Sequence, residues 1–121
     1  VRRPRTNTPL QALALMNDVQ FVEAARNLAE RLLREQPDDE ARLVYAFRAA
    51  TARRPDDDEL DILRGQLALH RATYAEDPEA AKALLAVGES AYDADLDPTE
   101  LAAWTMMSNL ILNLGETITR G

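Results

Sequence analysis

Apolar residues in this chain recur every three or four positions and almost never every second one, the spacing of side chains that share a helix face. Helix punctuation breaks the pattern into segments. Thr8 is placed as an N-cap with Pro9 at the first helical position and Gln11 three residues on, which predicts a short helix to about Met16. Asn17-Asp18 restart the chain into a helix over 18–36, with Phe21, Ala25, Leu28 and Leu32 on one face and Val22, Ala29 and Leu33 beside it. Pro37 stops it. Asp38 or Asp39 opens a helix to 53 whose stripe is Leu43, Phe47 and Ala50, flanked by Val44, with Arg53-Arg54 favouring its C-terminus.

Pro55 is the next joint, and Asp56-x-x-Glu59 is a carboxylate form of the capping box. It predicts a helix over 57–76 with Leu60, Leu63, Leu67, His70 and Tyr74 aligned. Asp77-Pro78 starts a short fifth helix with Leu84 and Leu85 inward and Gly88 as its C-cap. After an acidic, irregular stretch, Asp97-Pro98-Thr99-Glu100 opens a last helix, about 98–114, that is apolar nearly all round through Leu101, Trp104, Met106, Met107, Leu110, Ile111, Leu112 and Leu114. A helix with no polar face belongs inside. The expected fold is therefore all-α, a compact bundle of about six helices with the last one central and buried, forming a single domain over residues 1–121.

Composition narrows the chemistry. There are no cysteines, so thiolate metal sites, thiol nucleophiles, disulfides and covalent haem attachment are excluded within these residues. Lys and Arg number 14 against 21 Asp and Glu, a formal charge of -7 that disfavours nucleic acid as a partner. The charge is unevenly spread: Arg2, Arg3 and Arg5 are the only charges before Asp18, whereas 89–100 holds only acidic ones. No apolar run approaches the roughly 20 residues of a transmembrane helix.

Each chemical candidate has a simpler structural account. His70 is the only histidine and lies on an apolar stripe, so no histidine cluster can bind a metal and a core-edge role is expected. Ser108, within the most apolar helix, reads as a small packing residue and not a nucleophile. Asp93-x-Asp95-x-Asp97 imitates the start of a calcium loop, but Pro98 and Trp104 occupy the places of the glycine and the bidentate glutamate, which leaves a solvated linker that caps the last helix. The glycines form no phosphate-cradling loop. No catalytic, cofactor-binding or metal-binding residue is assigned, and no cofactor is expected. What remains is the N-terminal segment: Arg2, Arg3, Arg5 and Asn7 are candidate contacts to an upstream domain or a partner protein, because arginine forks suit carboxylates across an interface.

Arg2-Arg3 and the run Arg5-Thr6-Asn7-Thr8-Pro9-Leu10-Gln11-Ala12-Leu13-Ala14-Leu15-Met16-Asn17-Asp18, followed by Gln20-Phe21-Val22-Glu23-Ala24-Ala25, closely resemble the C-terminal part of the planctomycete-specific domain one family. Ala46-Phe47-Arg48, the Arg53-Arg54-Pro55 joint with Glu59-Leu60, and the ending from Glu100-Leu101-Ala102-Ala103-Trp104 through Leu112-Asn113-Leu114-Gly115-Glu116 extend the resemblance along the chain. It implies a tail domain of large, usually exported proteins that often carry a cytochrome-c-like haem motif, of no established activity and with no catalytic residues to carry over. Gly115 and Ile118 depart from the family pattern, which has an acidic and an aromatic residue there.

Together these features predict a docking or scaffold domain, itself non-catalytic, at the C-terminal end of a longer, exported or periplasmic multidomain protein. Two alternatives compete with it. In one, an upstream redox or hydrolytic domain completes a composite active site in which Arg5 and Asn7 orient substrate. In the other, the helix pairs 18–53 and 56–88 form a repeat-like protein-binding module.

Overall fold

The computed structural model describes residues 19–87 and 92–120, with side chains from 22 to 87 and from 92 to 115. Five helices lie in these residues: α1 (Val19–Glu35), α2 (Asp39–Thr51), α3 (Asp57–Glu76), α4 (Pro78–Leu85) and α5 (Pro98–Arg120). No strand occurs among the described residues. The all-α class expected from the sequence holds. The short helix expected at 8–16 and the Gly88 cap lie outside the described residues.

Most of the capping chemistry forms as written. Asp38 Oδ1 accepts the Ala41 N–H at 2.8 Å to start α2. At α3 the capping box closes in both directions, Glu59 N to Asp56 Oδ1 at 2.8 Å and Asp56 N to Glu59 Oε1 at 2.9 Å. Asp77 caps α4, and Asp97 Oδ1 accepts both the backbone N–H and the hydroxyl of Thr99 to start α5. The predicted end of α2 is corrected: the helix stops at Thr51, and Ala52 takes a left-handed conformation, φ 67. Arg53 thereby leaves the helix and reaches forward to Glu59 through paired contacts of 2.9 and 2.8 Å.

The other four helices all pack against α5. Its Leu101, Ala102, Ala103, Trp104, Met107 and Ile111 are fully buried, while Met106, Leu110, Leu112 and Leu114 are partly covered. Phe47, Leu43, Leu63, Leu67, Leu32, Ala81 and Leu85 supply the facing side chains of one core. Asp93, just before α5, is held by Arg34 and Glu30 near the end of α1, so these two helices run antiparallel. Ala50 near the end of α2 meets Gly115 far along α5, and both helices start around Arg71, so this pair runs parallel. A Cβ on Gly115 would stand 2.8 Å from Ala50 Cβ and 2.9 Å from its carbonyl carbon, inside van der Waals contact. Gly115 is thus where two backbones touch.

In a helical repeat array each pair contacts its neighbours in sequence. Here α1 and α2 have 17 and 13 residues, α3 and α4 have 20 and 8, and both pairs converge on a fifth helix.

The buried face of α1 also differs from its predicted stripe. Val22, Ala25, Arg26, Ala29 and Leu32 line it, with Leu28 and Leu33 only partly covered. Arg26 belongs to this face and is 1 % exposed. Its Nη1 donates to the carbonyls of Leu85 and Val87, both at 3.1 Å, where cationic charge complements the C-terminal end of α4.

Candidate functional site

Two groups of polar side chains stand out, one binding the helices together and one opening outward. The first surrounds the start of α5. Arg71, from α3, makes bidentate contacts to Asp39 at 2.7 and 2.9 Å and to Glu100 at 2.9 and 2.8 Å. Both carboxylates sit in the first turn of their own helices, where the helix dipole already favours negative charge. One arginine fork therefore ties α2, α3 and α5 at a single point.

Arg71 and Arg42 both lie over the ring of buried Trp104, at 6.0 and 5.8 Å from its centroid, and Arg42 also reaches Asp39. Hydrogen bonding to Arg71 holds the Asp39 carboxyl below its ordinary range, and the same bonds, with those to Glu100, raise Arg71. This is structural chemistry. Both carboxylates that could act as a base are already engaged by a permanent cation.

The other candidates are similarly occupied. Asp93 accepts from Arg34 and from the Asp95 backbone N–H, which lowers its pKa, while Asp97 caps α5. The calcium-like triplet thus serves as a fastening between the 92–97 loop, α1 and α5. Among the described residues, no group of three His, Asp or Glu side chains is arranged to hold a metal. His70 is half-buried at the edge of the core, and burial lowers its pKa and favours the neutral ring. The Thr105 hydroxyl donates back to the Leu101 carbonyl at 2.7 Å. Ser108 is fully buried, and its Oγ has no hydrogen-bond partner among the described residues. Arg2, Arg3, Arg5 and Asn7, the candidate contacts chosen from sequence, lie outside the described residues.

The second group lines an open groove of about 1220 Å³ on the outer face of α2. Ala41, Val44, Tyr45 and Ala49 form its floor, at the i, i+3, i+4, i+8 spacing of a second helix face beside the one that enters the core. Arg48, Arg54 and Arg64 stand on its rim, with Asp38, Asp39 and Glu40 at the end where α2 starts. The acidic side is internally satisfied: Asp38 caps α2, Asp39 binds Arg71, and Glu40 binds Arg64 at 2.6 Å.

Arg48 and Arg54 differ. Among the described residues, Arg26, Arg31, Arg34, Arg42, Arg53, Arg64, Arg71 and Lys82 all have a hydrogen-bond or ion-pair partner. Arg48 and Arg54 have none there. Sequence periodicity assigns Val44 to the flank of the core and Arg54 to the helix terminus, and so misses this face. Its signal is present in the Ala41, Val44, Tyr45, Ala49 spacing; the inward stripe of Leu43 and Phe47 is as the sequence predicts, and what periodicity does not show is that the neighbouring face lines an open groove.

These features define an all-helical domain whose described ionisable groups are largely engaged in its own architecture and whose open groove carries two unengaged cations. Residues 1–67 match the PSD1 family, described as a protein of unknown function (DUF1553), and the chain belongs to that family. The match takes in the arginine-rich start, α1, α2 and the first half of α3, including the groove floor; the α5 ending lies beyond it. No curated protein and no solved structure matches the chain.

Proposed function

We propose that this domain is a non-catalytic docking or scaffold module of a larger exported protein, which holds a neighbouring domain or a partner through the segment bearing Arg2, Arg3, Arg5 and Asn7. The observation that carries the proposal is how the described polar groups are used. Arg71, Arg34 and Arg53 occupy carboxylates that could otherwise act in acid–base chemistry, and the single histidine stands alone at the core edge. A domain whose charges serve to fix its helices offers surfaces, not a reacting centre. The exported setting and the cytochrome-c-like neighbour follow from the resemblance to the planctomycete-specific family and belong to the proposal. No helix among the described residues is long and apolar enough to cross a membrane, so attachment through those helices has no part in it.

The test is made in the parent protein. Replacing Arg2, Arg3 and Arg5 by Ala should weaken association of this domain with the remainder, measured at low and at moderate salt, with the parent form losing affinity as salt rises. Association that is unchanged by both would remove the proposal. The haem spectrum of the full-length protein tests its expected context.

A further inference from the structure

The geometry points to the groove on α2 as a second docking surface, whose occupant is an amphipathic helix of a partner protein carrying carboxylates along one flank. The inference rests on the docking function above but uses different residues. Four observations lead to it. The floor is built of apolar side chains, with the small Ala41, half-buried, and Ala49, exposed, at its ends leaving room for a helix backbone to approach closely and the half-buried Val44 and Tyr45 offering apolar contact between them. Arg31 donates to the Tyr45 hydroxyl at 2.8 Å and lies over its ring, which orients this part of the floor.

The rim sets the charge of the occupant. In a chain of formal charge -7, every described Lys and Arg side chain but two has found a partner, and those two line the same groove. Arginine forks match carboxylates bidentately, and the surrounding Asp38, Asp39 and Glu40 do not compete, being engaged by a helix N-terminus, by Arg71 and by Arg64. Finally, Arg48 lies on the last turns of α2 and Arg54 just beyond its left-handed end at Ala52, so both cations stand at one end of the groove. The carboxylates on the occupant's flank are thereby placed opposite Arg48 and Arg54.

Random peptides serve as the probe. A library of peptides of about 16 residues, roughly four helical turns, is panned against the full 121-residue chain. Recovered clones are then measured against R48E/R54E and against R2A/R3A/R5A. Both substitutions in the first variant replace exposed, unengaged side chains, and its helical circular dichroism should equal that of the parent. Expected clones carry Asp or Glu beside apolar residues three or four apart, bind R48E/R54E about tenfold or more weakly, and shift the amide resonances of 41–49.

Several results would overturn the groove: no enriched clone, clones without carboxylates, equal binding to R48E/R54E, or a concentration-dependent dimer of the chain that R48E/R54E abolishes, which would make a second copy the occupant. Clones lost only in R2A/R3A/R5A would overturn the groove and leave the N-terminal docking function standing. Loss in R48E/R54E with unchanged parent-protein association in R2A/R3A/R5A would do the reverse.

Discussion

The start of α5 and the outer face of α2 carry the same residue types and use them in opposite ways. Around Trp104, two arginines and two carboxylates close on one another and on an aromatic ring, and the cluster holds three helices. On the outer face of α2 the carboxylates are likewise engaged, but Arg48 and Arg54 are left open beside Ala, Val and Tyr side chains. Ion pairs formed inside a fold cannot also recognise something outside it. Functional charge in a domain like this one is therefore to be sought where internal pairing is incomplete, and not where charge is densest.

If that contrast holds, substitutions at the inner cluster change stability and substitutions at the groove change association. The largest effect is expected at Trp104, which is fully buried in the core that the helices share. Trp104→Ala should cost about 3–5 kcal/mol in urea unfolding, a large part of the total for a domain this size. A loss below about 1 kcal/mol would mean that the inner region is not the keystone.

Arg71→Met comes next. It removes a clasp that is one-third exposed, so solvent screening limits the expected loss to about 1 kcal/mol, read from the urea midpoint. Its pH signature is more telling. The Asp39 carboxyl is lowered by Arg71, and Glu59 is lowered from 4.5 to about 2 chiefly by Arg53. A carboxylate with a depressed folded pKa binds fewer protons folded than unfolded, so its stabilisation is complete above the ordinary value and is lost as pH falls through the folded one. Melting temperature should therefore decline from about pH 4.5 toward pH 2. In Arg71→Met the decline should become shallower, leaving the parts due to Glu59 and Asp93; an unaltered slope would show that the clasp does not hold the Asp39 proton off.

The smallest effect on stability is expected at the groove. Arg48→Ala and Arg54→Ala should each leave the unfolding free energy within about 0.5 kcal/mol of the parent, because neither has a described partner to lose. A larger destabilisation would mean that these arginines belong to the architecture after all and would erase the contrast between the two regions.

Much of the architecture is legible in the residues alone wherever the signal is local. Asp38, Asp56, Asp77 and Asp97 each announce a helix start within four residues of sequence, and each caps one. The core stripe Leu60, Leu63, Leu67 and Tyr74 is equally local. Reading fails where two distant segments have to meet. Arg26 is a polar residue on what becomes a buried face, and its Nη1 bonds to carbonyls at the end of α4, some sixty positions away, while its Nε and Nη2 are buried with no partner among the described residues. Nothing local to Gly115 shows why a glycine stands there; the reason is the Ala50 backbone across the bundle.

The amino-acid sequence by itself determined that the chain is helical, where its helices begin, and that no cysteine chemistry or histidine cluster is available to it. Those properties depend on composition and on hydrogen bonds spanning a turn or two. That Arg26 joins the buried face of α1, which carboxylate each arginine takes, and therefore which cations stay open on the surface were decided only by the tertiary structure, because charge pairing between helices depends on their mutual placement and no local pattern encodes it.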